Sequence, residues 1–342
     1  MPAQVRGLRD GGEYEEMLTV VARGFGHPVD AVRRRFERHP PYKLEGSRVV
    51  FVDGRMVSVV HVHELQVRSR GGSLRLSWDA MPRASLLPGA TSAAGAGWPE
   101  ETEPPWLLGG VGEVATLPEH RHQGYATLAL RDAIDYMEGL GCRFSMLFTG
   151  QQPFYERLGW RPYPIAYLTF DPQKVVLPKG RAKVTIREMD WEPDLPALER
   201  IYQEYNRDKV GPLLRTEAYW REATSPRRRS GSSWTALRRR APVAYLWGAA
   251  ELRILELPHL PGEEAAARAL LLHALRVAQK ESFKQVVLSE PCVPIACELA
   301  DRQPPGAVTR AVYRNMMLRP MTPGSSTDFA PGELVYYGTD SF

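Results

Sequence analysis

The stretch Val114-Ala115-Thr116-Leu117-Pro118-Glu119-His120-Arg121-His122-Gln123-Gly124-Tyr125-Ala126-Thr127 decides the fold. A strand ends at Thr116, a basic turn follows, and a helix opens at a glycine. The first N–H groups of a helix have no partner within it, and the helix dipole is positive there, so such a start attracts an anion. Gly124 lets the backbone approach that anion with no Cβ in the way. Ala126 keeps the first turn narrow, and Arg121 and His122 add positive charge. The expected ligand is a pyrophosphate; the competing reading is a plain strand–helix turn with solvated basic residues. Two familiar phosphate sites do not fit. There is no Gly-Lys-Ser/Thr as in a nucleotide-hydrolase loop, and no Gly-x-Gly-x-x-Gly as in a dinucleotide fold.

Outward from this turn the order is mixed α/β. Residues 4–8 read as a strand, 13–25 as a helix with apolar residues at helical spacing, and 28–38 as a second helix with Pro28 near its first turn. Strands at 48–52 and 56–67 flank Asp53-Gly54, a hairpin signal, and 73–78 reads as a further strand. Residues 80–105 are rich in Pro, Gly, Ala and Ser without periodicity, as in an insertion or a lid anchored by Trp98 and Trp106. Then follow a strand at 107–116, a helix at 123–140, a buried strand at 143–149, a short helix at 153–158 stopped by Gly159, and a strand at 160–170. A Pro/Gly-containing linker occupies 171–183.

The order then repeats: strand 184–188, helices 194–205 and 216–223, strands 234–239 and 243–247 around Ala241-Pro242, and strand 253–257. A helix at 263–280, a strand at 285–288, a helix at 293–300 and a last strand at 313–318 complete it. This argues for a duplicated fold, in domains of 1–172 and 181–320 with a tail of 321–342. The tail turns apolar at Leu334-Val335-Tyr336-Tyr337, enough to dock.

Composition bounds the function. The 342 residues are 43% hydrophobic and 25% charged, ordinary globular values. A net charge of +4 is too small to make nucleic acid or membrane the main partner. The runs Arg227-Arg228-Arg229 and Arg238-Arg239-Arg240 read as solvated turns; salt-dependent nucleic-acid binding is the rival use. Three cysteines, Cys142, Cys292 and Cys297, form no disulfide framework and no zinc pattern. No apolar run reaches the roughly 18–20 residues of a membrane span, so a cytoplasmic protein without metal is expected.

The chain resembles the GNAT N-acetyltransferases. Arg121-His122-Gln123-Gly124-Tyr125-Ala126 fits their Arg/Gln-x-x-Gly-x-Gly/Ala signature. Phe154-Tyr155-Glu156-Arg157-Leu158-Gly159-Trp160 matches their Phe-Tyr-x-x-x-Gly-Phe segment, with Trp160 for Phe. The clear likeness covers about residues 1–170. Gly109-Gly110-Val111-Gly112 and His120-Arg121 look like the enhanced intracellular survival (Eis) branch, whose members pair an active GNAT domain with a degenerate one and add a sterol-carrier-like domain. Only 22 residues follow Pro320 here, too few for that third domain.

The resemblance implies two tandem GNAT-like domains, the second degenerate, and acetyl-coenzyme A as cosubstrate with a small amine as acceptor. Self-association is left open. The backbone of Val114, Ala115 and Thr116 would hold the pantetheine arm. Arg121, His122, Gln123, Gly124, Tyr125, Ala126 and Thr127 would form the pyrophosphate turn, and Thr149 and Gly150 would flank the arm. Tyr155 is the expected general acid for the leaving thiolate, against a packing role. The base is expected from Glu113 through water, or from the terminal carboxylate of Phe342, which the likeness to the Eis branch suggests. No cysteine is placed as a nucleophile: Cys142 falls at the start of a buried strand.

His61, His63 and Glu64 form a polar group, with His61 and His63 on one strand face, either walling the acceptor or solvated. Trp78, Asp79, Trp98 and Trp106 are further wall candidates. In the second half the equivalent turn, Leu257 to Glu264, carries Glu263 and Glu264 where a pyrophosphate would be repelled. That half is therefore read as structural. The rival to catalysis is a non-catalytic acyl-coenzyme-A-binding module.

Overall fold

The computed structural model describes residues 3–37, 43–69, 104–179, 183–223, 232–249, 252–322, 329 and 332–337. The expected strand at 73–78 with Trp78, Asp79, residues 80–103 of the 80–105 stretch with Trp98, the Arg227–Arg229 run and Phe342 lie outside them. The first half runs β1 (Gln4–Gly7), α1 (Gly11–Phe25), α2 (Val29–Phe36), β2 (Ser47–Val52), β3 (Arg55–Val67), β4 (Trp106–Thr116), α3 (Tyr125–Gly139), β5 (Phe144–Phe148), α4 (Gln152–Glu156) and β6 (Arg161–Phe170). The second runs β7 (Thr185–Glu188), α5 (Trp191–Tyr205), α6 (Glu217–Ala223), β8 (Trp234–Arg238), β9 (Ala241–Ala249), β10 (Arg253–Glu256), α7 (Glu264–Lys280), β11 (Val286–Ser289), α8 (Val293–Asp301) and β12 (Val308–Pro320).

Local chemistry sets most boundaries. Asp10 caps α1, accepting from the N–H groups of Gly12 and Glu13, and Gly26 ends it with a left-handed φ of 71°. Asp53 and Gly54 both take positive φ, as a two-residue hairpin turn requires. Two expected boundaries move. The helix expected from 123 starts at Tyr125, because His122 (φ 63°) and Gly124 (φ 85°) are left-handed and belong to the turn. The β8–β9 turn is Arg239-Arg240, with φ of 49° and 72°, and Ala241-Pro242 lie inside β9. Pro242 is tolerated there because β9 meets β10 only through Trp247–Ala249.

All twelve strands form one sheet in the order β1-β2-β3-β4-β5-β12-β6-β11-β10-β9-β8-β7. The last strand, expected at 313–318, is longer and runs from Val308 to Pro320. It inserts between β5 and β6, pairing Met316–Pro320 with Phe144–Phe148 on one side and Val308–Leu318 with Arg161–Phe170 on the other. In turn β6 pairs with β11 of the second half, from Val286↔Phe170 to Ser289↔Tyr167. Each half thus hands its sixth strand to the fifth strand of the other. An interior strand must satisfy both edges with backbone partners, so the two halves complete one another.

Helices α3 and α4 pack on one face over Val60, Val62, Val111, Leu147 and Met317. The other face holds α1 and α2 over Val49, Val59 and Ala115. Beside them, α5, α6 and the tail cover Phe144, Met146, Met316 and Tyr245. Leu334 and Tyr337 are buried; the Leu334 N–H donates to the Tyr163 hydroxyl and the Tyr337 hydroxyl donates to Asn206.

A fragment of residues 1–172 lacks β12 and leaves facing edges of β5 and β6 unpaired. We expect gel filtration to show aggregated or expanded material, and co-expression with 173–342 to restore one compact species. A monomeric 1–172 fragment that melts cooperatively would show the exchange to be dispensable.

Candidate active site

The parallel strands β4 and β5 stay paired only from Leu108↔Phe144 to Gly110↔Met146. Beyond Gly110, among the described residues, β4 has no ladder partner on its β5 side. Part of the cause is a bulge in β4. Val59 faces Ala115 and His61 faces Gly112, so two β4 residues, Glu113 and Val114, oppose one on β3. Glu113 is left-handed, φ 48°, which for a non-glycine costs about 1–3 kcal/mol and is seen most at functional sites. Both strands point the same way, so the wedge opens at their C-terminal ends, where the chain leads into α3 and α4.

Val114, Ala115 and Thr116 line the β4 side of this wedge. Ser58 fixes them: its hydroxyl donates to the Ala115 carbonyl at 2.9 Å and lies 2.8 Å from the Thr116 hydroxyl. Behind them α1 approaches closely, since a Cβ on Gly24 would lie 2.9 Å from that of Ala115. On the β5 side, the Thr149 hydroxyl accepts from the Gln151 N–H, and the Thr149 N–H donates to Asn315 of β12. Gly150 has no atom within 4 Å of where a Cβ would sit.

The turn from Arg121 to Thr127 sits at the mouth. Arg121 donates to the carbonyls of Gly24, at 2.6 Å, and Thr116, at 3.3 Å, tying the turn to the end of α1. Gln123 bonds the Glu119 carbonyl and accepts from the Tyr125 hydroxyl. No side chain caps α3, and its first turn has no acidic residue. The N–H groups of Tyr125, Ala126 and Thr127 precede the first helical bond, Leu128 to Gly124. The space over Gly124 is empty to 4 Å. A capless helix start, a left-handed glycine and open space make a preformed anion cradle.

The matching start of α7 is built differently. Glu263 there forms a two-point ion pair with Arg238 at 2.6 Å, and Glu264 occupies the first turn. On the strand before it, Glu256 is fully buried against Arg215. The Tyr245 hydroxyl also donates to Glu256, and the Arg215 guanidinium lies over the rings of Tyr202 and Trp220.

Tyr155 lies on α4, edge-on to Phe154 and Trp160, and is mostly buried. Among the described residues its hydroxyl has no hydrogen-bond partner. Burial pushes its pKa up to about 12, so it is a neutral phenol with a proton to give. Cys142 is buried beside α3 and burial pushes its thiol up to about 12 as well, which leaves no thiolate for nucleophilic attack.

Glu113 faces α2 and β3. One carboxylate oxygen lies 3.0 Å from Arg35 and the other 3.4 Å from His63. His61 and His63 do share a face, with rings 4.4 Å apart, but that face is covered: Phe36 packs edge-on against His61, and Ser47 hydrogen-bonds it at 2.8 Å. Glu64 is not part of this group. It points to the opposite face and bonds Lys43 and Tyr136. Alternation along β3 foretells that separation; the Arg35 contact, from a helix 78 residues upstream of Glu113, carries no local signal. Trp106 packs against Phe144 and Phe329 under Arg143. One aromatic was not singled out from the sequence, and it meets the tail expected to dock. Phe148 ends β5 partly exposed at the wedge, and Tyr336 of the tail lies 5.4 Å from it.

Among the described residues no group of three His, Cys, Asp or Glu side chains is placed to hold a metal, and no helix is long and apolar enough to cross a membrane. Residues 103–163 match the acetyltransferase (GNAT) domain family. No curated protein matches the chain. Three solved structures share its fold over nearly its whole length. A GCN5-related N-acetyltransferase from Anabaena variabilis is 13% identical, with a TM-score of 0.67, over 94% of this chain and 73% of that one. One from Kribbella flavida is 17% identical, with a TM-score of 0.65, over 93% and 71%. Eis1 from Mycobacterium abscessus is 17% identical, with a TM-score of 0.59, over 94% and 74%. The chain has the GNAT fold.

The raised Tyr155 pKa has a stability consequence. Between about pH 10 and 12 the unfolded chain releases this proton and the folded chain keeps it, so the unfolded state gains and stability falls as pH rises. Urea melts at pH 9 and pH 11 should show Tyr155→Phe losing about 1 kcal/mol less than the parent over that interval. Equal losses would mean that the phenol titrates normally.

Proposed function

We propose that this chain is an acetyl-coenzyme-A-dependent N-acetyltransferase that moves the acetyl group directly to a primary amine of a small molecule. The observation that carries the reading is the open wedge between β4 and β5 with the capless, glycine-led start of α3 at its mouth. In this reading residues 1–172 supply the chemistry, 181–320 are a degenerate partner, and 321–342 are a tail of which Leu334 and Tyr337 pack over the sheet. The pantetheine arm adds to the free edge of β4 along Val114, Ala115 and Thr116 as a pseudo-strand, between it and Thr149-Gly150. The turn from Arg121 to Thr127 takes the pyrophosphate.

The reaction needs an oriented amine, a polarised carbonyl and two proton movements. The amine nitrogen bonds the thioester carbonyl carbon, the C–S bond breaks, and Tyr155 protonates the departing thiolate. Two groups are proposed for the amine proton. Glu113 would accept it through water, from a position 3.0 Å from Arg35 and 3.4 Å from His63. The terminal carboxylate of Phe342 is the other, supported by the packing of Tyr336 on Phe148 at the wedge. No metal is required by this route. With three cysteines and two of them buried as free thiols, a reducing, cytoplasmic setting suits the chain.

Calorimetry should give one coenzyme A per chain, because Glu263 and Glu264 occupy the second helix start. Gly124→Glu should abolish that binding in a protein that still melts cooperatively. Two sites per chain, or unchanged affinity in the folded variant, would remove the proposed site.

A screen of small amines for thiol release tests the activity itself. On any acceptor it identifies, Tyr155→Phe should lower kcat by about 10²–10⁴-fold with coenzyme affinity almost unchanged. Parental kcat, measured where chemistry limits turnover, would assign Tyr155 to packing alone.

A further inference from the structure

A cavity of about 520 Å³ lies on the α5 face, where strands exchanged between the halves meet the second half. That is within the range of small-molecule pockets. Ile165 of β6 and Met316 of β12 line it, and Leu334 and Tyr336 of the tail close one side. Tyr205, at the end of α5, Lys209, four residues beyond it, and Glu290, just past β11, supply the polar wall. Asp208 and Glu333 add further carboxylates to the lining.

The charges in this cavity are incompletely matched. The Lys209 amine rests 2.9 Å from the centre of the Tyr205 ring. The Glu290 carboxylate accepts one hydrogen bond, from the Ala166 N–H at 3.3 Å. Among the described residues neither has an ion-pair partner, although both face the same space. Burial pushes the Lys209 amine down to about 7 and Glu290 upward, the response of charges without counter-charges. A bare cation would satisfy Glu290 and leave Lys209 unmatched; a bare anion would do the reverse. A small molecule with both charges on an apolar body satisfies both.

The geometry assigns this cavity to a free α-amino acid with an apolar side chain, its carboxylate toward Lys209, its ammonium toward Glu290 and its side chain against Ile165, Met316 and Leu334. The cavity borders the β4–β5 wedge through Tyr336, which also packs on Phe148, but its polar wall is made by other residues, and binding there does not depend on acetyl transfer. It also gives the second half a binding role that its α7 start does not offer.

The test is calorimetry on the full chain with L-phenylalanine, L-leucine and L-methionine. Phenethylamine and 3-phenylpropionate serve as single-charge analogues. We expect one amino acid per chain, and both analogues weaker by about tenfold or more. Lys209→Met should weaken L-phenylalanine by a similar factor and leave phenethylamine unchanged. Glu290→Gln should weaken L-phenylalanine and leave 3-phenylpropionate unchanged. Melting temperatures within a few degrees of the parent establish that the variants are folded. The assignment is overturned if none of the three amino acids binds at about 10 mM, or if both substitutions leave L-phenylalanine affinity unaltered. It is equally overturned if phenethylamine binds as tightly as L-phenylalanine, which would make the cavity a simple cation site.

Discussion

Two parallel strands that begin paired and then part shape the rest of this molecule. Backbone groups cannot be left dry and unpaired, so the divergence of β4 and β5 after Gly110 and Met146 has to be accommodated on every side. On the outer side β3 holds β4 through the bulge at Glu113 and the Ser58 hydroxyl. On the inner side β12 takes the far edge of β5, with a bulge of its own beyond Tyr313, and meets the Thr149 N–H through Asn315. The space left between is bounded on the β4 side by an edge without a ladder partner among the described residues beyond Gly110.

The second half repeats the plan and uses it differently. Its parallel pair, β10 and β11, also stops early, after Ile254↔Leu288, and β10 carries a bulge before Glu256. There the buried Arg215–Glu256 pair, boxed by Tyr202, Trp220 and Tyr245, fills the ground beside the strand. A charged pair so enclosed is costly to desolvate and costlier to break singly, so this region is fixed in one arrangement. One architecture therefore yields an open cleft in one half and a locked polar core in the other.

Much of this was legible in the sequence, for local reasons. Helical spacing at Met17, Leu18 and Val21 and the Asp53-Gly54 turn placed their elements to within a few residues. The stretch from Val114 to Thr127 announced a strand end, a turn and a helix start because its cues are contiguous. What stayed hidden depends on distant partners. A stretch beginning Val308-Thr309-Arg310 does not show that it will lie between β5 and β6. The Arg239-Arg240 hairpin has no glycine or asparagine to mark its left-handed turn. The enclosure of His61 and His63 required Phe36 and Arg35 from α2, and the cavity at Lys209 required both halves and the tail. Of the candidate site, the strand, the turn and Tyr155 are chain-local features. The neighbours that set their chemistry are not.

The position of β12 has a consequence for synthesis. Residues 308–320 emerge from the ribosome roughly 160 residues after β5, and until then the central gap of the sheet stays open. Pairings this far apart in sequence are slow to form, and unsatisfied strand edges invite association with other nascent chains. The first half is thus complete in sequence long before it is complete in structure. A cell making this protein must keep that gap unoccupied by any strand but its own, and premature termination before β12 would release an unfinished sheet rather than a shorter version of the same fold.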